Sequence, residues 1–322
     1  MDPAIVAFGL GVGVLVGMTG IGGGSLMTPL LILVFGVNPT TAIGTDLAYG
    51  AVTKTVGGYR HFRQGTVDFS LSLWMGIGSV PAAIAGVYVL DVLERAYGRE
   101  FDELLLSILA ITLLFTGVMT LARALFMKAL HEQERDAIEM TRRNRISAVV
   151  LGAVVGFVLG VTSAGSGALI AVGLILLFRL VPQRVVGTDV FHAAILLCAA
   201  AAAHLFSGNV DFSLAGNILI GSVPGVWFGS NLSIRVPSGA LRTTLAIVLI
   251  GAGLALLTKV GVGVPGAVLA IFPVIVAAVI LGVTLRDRRA NEGASDPEYL
   301  PLSSDGERAD LATRTEADPS ER

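Results

Sequence analysis

Two short runs of glycine and hydroxyl residues interrupt an otherwise apolar chain. One is Gly20-Ile21-Gly22-Gly23-Gly24-Ser25, preceded by Thr19; the other is Ser163-Ala164-Gly165-Ser166-Gly167, preceded by Thr162. Such runs suit the capture of an anion. Glycine has no Cβ, so main-chain N–H groups can approach a ligand closely. A helix that starts after each run presents unpaired N–H groups and the positive end of its dipole at that point. Thr19, Ser25, Thr162, Ser163 and Ser166 add hydroxyl donors. Small residues also let membrane helices pack closely. The recurrence of the same break at matching places is what favours a binding site over a packing seam.

Three charges fall inside apolar stretches: Asp46, Asp189 and Lys54. A charge at the centre of a membrane helix costs about 3 kcal/mol on insertion scales, so each needs a partner or a purpose. The aspartates either handle protons or substrate, or bond nearby hydroxyl and backbone groups. Lys54 lies eight residues after Asp46, on the same helix face and about 12 Å away. It either reaches a bound anion or a carboxylate, or snorkels to an interface. His192, three residues after Asp189, shares a helix face with it and could relay protons. His61 and His204 read as interfacial residues that satisfy helix carbonyls. Nothing suggests a metal site, a cofactor, or a nucleophile with a positioned base, so an enzyme is not expected. The single cysteine, Cys198, excludes an intramolecular disulfide and reads as a small buried hydrophobe.

The elements that hold these residues must be membrane helices. Of 322 residues, 54% are hydrophobic and 14% charged, which leaves little polar surface to cover a core in water. Apolar stretches recur at 5–35, 42–59, 69–90, 104–126, 146–178, 185–206, 212–232, 241–257 and 264–285. Most match a hydrocarbon layer about 30 Å thick, which takes roughly 20 residues of helix. The bilayer is therefore a partner, and nucleic acid is not. The opening Met1-Asp2-Pro3 carries no basic region, so no cleavable signal peptide is expected. Residues 286–322 are rich in charge and serine, which predicts a disordered tail.

The chain repeats itself. A shift of 143 positions aligns residues 17–86 with 160–229 at 27 of 70 positions without a gap, including Gly44-Thr45-Asp46 with Gly187-Thr188-Asp189. A period of this length is half a transporter rather than a solenoid unit. Each repeat opens with more than thirty apolar residues broken midway by glycines, each costing helix about 1 kcal/mol. The halves on either side, roughly 13 residues each at 1.5 Å per residue, are too short to span alone, so a re-entrant hairpin fits. Basic residues agree. With hairpins, fourteen Lys and Arg fall on one side and only Arg95, Arg99 and Lys259 on the other. Without hairpins the division is nine against eight. Positive residues accumulate on the cytoplasmic side, so the N-terminus is extracytoplasmic and the C-terminus cytoplasmic. Three crossings per repeat then invert the second repeat relative to the first.

The string Gly17-Met-Thr-Gly-Ile-Gly-Gly-Gly-Ser25, then Pro29-Leu-Leu31, Pro39 and Ala42-Ile-Gly-Thr45, resembles the sulfite exporter TauE/SafE family of membrane transporters. The weaker copy at 160–167 and Val185-Val-Gly-Thr188 fits the duplicated organisation of that family. The resemblance implies a plasma-membrane carrier of sulfite, sulfoacetate or another small sulfur-containing or organic anion. It also points to Thr45 and Thr188 as substrate-binding residues. Asp46 and Asp189 stand where the family commonly has a small neutral residue, and two carboxylates there repel an anion unless protonated or paired.

The expected fold is an all-α integral membrane protein of two inverted repeats, each a re-entrant broken-helix hairpin plus three transmembrane helices, with one extra C-terminal helix. Its parts are a first membrane repeat at 1–126, a cytoplasmic linker at 127–145, a second repeat at 146–258, an additional transmembrane helix at 264–285 and the tail. The expected function is secondary transport of a small anion, with protons as coupling ion. An uncoupled channel or uniporter is the alternative, and homo-oligomerisation is left open.

Overall fold

Within a bilayer no water can satisfy a bare peptide group, so apolar stretches fold as helices that close their own hydrogen bonds. The computed structural model describes residues 2–19, 24–126, 138–233 and 238–263. Gly20, Gly22 and Gly23, most of the linker, the additional helix expected at 264–285 and the tail lie outside the described residues.

Ten helices account for the regular structure of the described residues: α1 (Pro3–Thr19), α2 (Gly24–Val34), α3 (Pro39–Arg63), α4 (Phe69–Tyr97), α5 (Arg99–Phe126), α6 (Arg142–Thr162), α7 (Ser166–Phe178), α8 (Pro182–Phe206), α9 (Phe212–Ser233) and α10 (Ser238–Lys259). Five of them, α4, α5, α6, α8 and α9, are long and apolar enough to cross a membrane. The protein is therefore all-helical and multi-pass. Starts are written locally. Pro39 and Pro182 occupy first-turn positions of α3 and α8, where a missing N–H costs nothing. Asp68 and Asp211 cap α4 and α9, accepting from the Leu71 and Leu214 N–H groups at 3.0 and 2.9 Å.

The second expected break is described, and α1 and α2 lie on either side of the first, but the helices around the two positions are unequal. α1 and α6 have 17 and 21 residues, whereas α2 and α7 have 11 and 13. The expectation of two halves of equal, sub-spanning length is corrected for α6. Its basic first turn, 142–145, falls in the predicted linker yet is helical, because Thr141 caps it and Arg145 lies 5.1 Å from the centre of the Trp74 ring.

Glycine ladders set the packing. Gly9, Gly13 and Gly17 of α1 face Ile218, Ser222 and Val226 of α9, so the two helices run parallel. Gly152, Gly156 and Gly160 of α6 face Met75, Ser79 and Ala83 of α4 in the same way. These are the same ladder one repeat apart. A Cβ on any of these glycines would collide with the partner's main chain, so the backbones approach as only small residues allow. In α3 and α8, Gly50 meets Leu197 and Gly57 meets Val190, so this central pair is antiparallel. In α5 and α10, Gly117 meets Ile250 and Gly253 meets Leu114, again antiparallel. Thr55 and Cys198 hold equivalent positions in the two repeats and touch each other, with Oγ1 and Sγ 3.5 Å apart. Cys198 is exposed on the outer face of α8, not buried as its apolar neighbours suggested.

Candidate functional site at the helix breaks

The second break is described throughout. α6 ends at Thr162, whose hydroxyl donates to the Val158 carbonyl at 2.7 Å and accepts from the Ala164 N–H at 3.2 Å. Ser163 turns left-handed with φ +57°, and Gly165 follows with φ +96° before α7 starts at Ser166. A left-handed turn separates two helices without a long loop. The first N–H groups of α7, at Ser166 and Gly167, have no acceptor within their own helix.

This break is joined to the first repeat at two points. The Gly165 N–H donates to the Ser25 hydroxyl at 3.3 Å, beside the end of the first break. The Ser163 hydroxyl donates to Asp46 Oδ2 at 2.7 Å, and the Thr28 hydroxyl donates to the same oxygen at 2.6 Å. Both distances lie in the short range expected when a hydroxyl donates to a carboxylate. Asp46 is fully buried, and its Oδ1 has no hydrogen-bond partner among the described residues. The hydroxyl of Thr116, on α5, is buried beside Gly165 and equally lacks one. The result is a buried cluster of hydroxyls, backbone N–H groups and one carboxylate where α2, α3, α5 and the second break converge.

The other predicted residues fall into several places. Gly24 opens α2 and Thr19 closes α1 on either side of the first break. Thr45 and Thr188 are buried, and each hydroxyl accepts a backbone N–H across the repeats, from Asp211 at 3.0 Å and from Asp68 at 2.9 Å. Asp189 is buried at the position equivalent to Asp46, yet the residues equivalent to Thr28 and Ser163 are Ala171 and Gly20, which have no hydroxyl. His192 is fully buried, and its ring nitrogens have no hydrogen-bond partner among the described residues. Lys54 is 7% exposed, so it does not snorkel; it lines a cavity of about 470 Å³ between α1, α3, α8 and α9. His204 is fully buried rather than interfacial, with Nε2 3.1 Å from the Gly160 carbonyl. His61 instead pairs Nδ1 with the Thr66 hydroxyl at 3.0 Å.

Sequence reasoning missed Thr28 and Thr116. A signal for Thr28 existed, because it faces Ala171 in the repeat alignment, and a lone hydroxyl inside an apolar half-helix needs a partner.

Comparison with known proteins places the chain among membrane transporters. The profile of a family described as Sulfite exporter TauE/SafE matches residues 5–256. A probable membrane transporter protein of Bacillus subtilis, YjnA, is 38% identical over 80% of this chain and 100% of its own length. Another from the same organism, YdhB, is 26% identical over 76% of this chain and 96% of its own. A probable membrane transporter protein of Methanocaldococcus jannaschii is 26% identical over 52% of this chain and 59% of its own. No solved structure matches.

Proposed function

The chain belongs to the sulfite exporter TauE/SafE family of membrane transporters, and we propose that it carries a small sulfur-containing or organic anion, such as sulfite or sulfoacetate, by alternating access around its two helix breaks. The observation that carries this reading is the junction at Asp46, where residues of both repeats converge on one buried carboxylate. Two breaks related by inversion and meeting at mid-depth form the usual seat of a transported ion. The helix directions support the inversion: equivalent helices α3 and α8 run antiparallel, as do α5 and α10.

In this reading the N–H groups at the starts of α2 and α7 hold the anion, with Ser25, Ser163 and Ser166 adding hydroxyls. Asp46 repels the anion while charged, so a proton must arrive with it. Protonation also removes the charge that Thr28 and Ser163 address, which loosens the tie between the second break and α3. Binding of anion and proton together thus frees the part that must move. Asp189 offers a second carboxylate for the same purpose in the other repeat. The orientation places the N-terminus outside and the C-terminus in the cytoplasm, with export as the direction of use.

Uptake of radiolabelled sulfite and sulfoacetate into proteoliposomes, with and without an imposed pH gradient, tests this. Flux driven by the gradient and abolished in Asp46→Asn is expected. Flux indifferent to the gradient would leave an uncoupled channel or uniporter instead.

A further inference from the structure

A threonine inside a membrane helix ordinarily returns its hydroxyl to the carbonyl one turn earlier, because the hydrocarbon around it offers no other acceptor. Thr55, Thr120 and Thr162 do this at 2.6, 2.7 and 2.7 Å. Thr116 does not. It is 1% exposed, and its hydroxyl has no hydrogen-bond partner among the described residues. A hydroxyl left dry destabilises the fold that holds it, so the arrangement asks for a ligand. The side chain lies against the second break: a Cβ built on Gly165 would stand 3.3 Å from Thr116 Oγ1.

Gly165 is the residue from which α7 starts, so this hydroxyl lies beside the N-terminus of a 13-residue helix. There the Ser166 and Gly167 N–H groups have no acceptor within their own helix. From α2, the Ser25 hydroxyl accepts the Gly165 N–H at 3.3 Å, which leaves its own proton to donate. Asp46 Oδ1 is buried without a hydrogen-bond partner among the described residues, and it becomes a donor once protonated. The groups left over at this point are then all donors. A buried water needs acceptors for its two protons as well as donors, whereas an anion is complemented by donors alone.

The hydroxyls gathered here have no copy in the other repeat. The reciprocal contacts of Gly117 with Ile250 and of Gly253 with Leu114 match α5 to α10 with Gly117 on Gly253, and Ala252 then stands where Thr116 does. Ala168 stands for Ser25 and Ala171 for Thr28. All three alanines are buried.

We infer that Thr116 is a substrate-binding residue, its hydroxyl donating to an oxygen of the anion seated on the first N–H groups of α7. The inference rests on the transport reading above and adds α5 to the elements that close on the anion.

The test is a titration of purified protein in nanodiscs with sulfite and with sulfoacetate, read by calorimetry, beside a melting curve taken without ligand. Thr116→Val keeps the shape of the side chain and removes the hydroxyl. It should weaken both anions by roughly tenfold or more and melt at or above the wild type, since an unsatisfied buried group is gone. Thr116→Ala should lose as much affinity, so the outcome does not hang on one variant folding, and Thr116→Ser should bring the affinity back. Wild-type affinity in the valine and alanine variants would overturn the inference. So would a lower melting temperature in Thr116→Val, because the hydroxyl would then hold the fold rather than the anion. The two readings fail separately. If the wild type carries sulfite in proteoliposomes and Thr116→Val binds it equally well, only the role of Thr116 falls. A wild type that neither binds nor carries either anion takes the transport reading down with it.

Discussion

Gly156→Ala is the sharpest probe of the ladder that joins α6 to α4. A Cβ built on Gly156 lies 2.6 Å from the Ser79 Cα and is aimed at the Ser79 carbonyl, where ordinary contact begins at 3.4 Å. The two backbones must therefore separate by roughly 0.8 Å. No rotamer change can relieve this, because the obstacle is main chain. Overpacking of this kind costs about 1–3 kcal/mol, and an obstacle of backbone places it toward the upper end. Alanine returns about 1 kcal/mol of helix propensity, so the net loss is about 2 kcal/mol. For a chain of this size that corresponds to a fall of roughly 4–8 °C in melting temperature. Gly76, on the same α4, faces open space with no atom within 4 Å. Gly76→Ala gains the propensity without the clash and should melt at or above the wild type. Fluorescence-detected size-exclusion after heating in detergent measures both. If Gly156→Ala melts with the wild type while Gly76→Ala falls, the ladder is not what holds α4 to α6.

Thr45→Val and Thr188→Val each strand one backbone N–H, of Asp211 and Asp68 respectively. Each should cost about 1–3 kcal/mol of stability and leave anion affinity unchanged; a loss of affinity at full stability would instead put these hydroxyls in the site. Orientation is open to single engineered cysteines in a Cys198→Ala background, reacted from outside intact cells with an impermeant thiol reagent. Positions 97 and 260 should label and positions 138 and 290 should not, whereas labelling at 138 would reverse the assignment.

Much of this arrangement was readable from residue order. The 143-residue repeat of helices and the second glycine break appear in the structure where the sequence puts them, since a helix cannot easily cross several glycines and a repeat copies its elements. Asp46 and Asp189 lie in the second turn of their helices for the same reason, set by Pro39 and Pro182. The length of α6 was not readable, because Arg142, Arg143 and Arg145 look like loop until Thr141 caps them and Trp74 receives Arg145. His204 and Cys198 were misplaced for a related reason. Both sit in one uniformly apolar helix, where composition says nothing about which face meets protein and which meets lipid. The convergence of Thr28, Ser163 and Ser25 near Asp46 is a product of pairing between repeats, and no local pattern records it.

The parallel ladders carry a consequence for how the chain is made. Gly9 meets Ile218 and Gly152 meets Met75, so the first interface closes over 209 residues of sequence and the second over 77. At about 5–20 residues per second of synthesis, α1 waits roughly 10 to 40 s for α9, whereas α4 and α6 can dock soon after α6 emerges. The two interfaces have the same shape and very different ages by the time the ribosome lets go. The earliest helix inserted is therefore among the last to find its mate, and its bare glycine face is what the insertion machinery has to shelter in the interval.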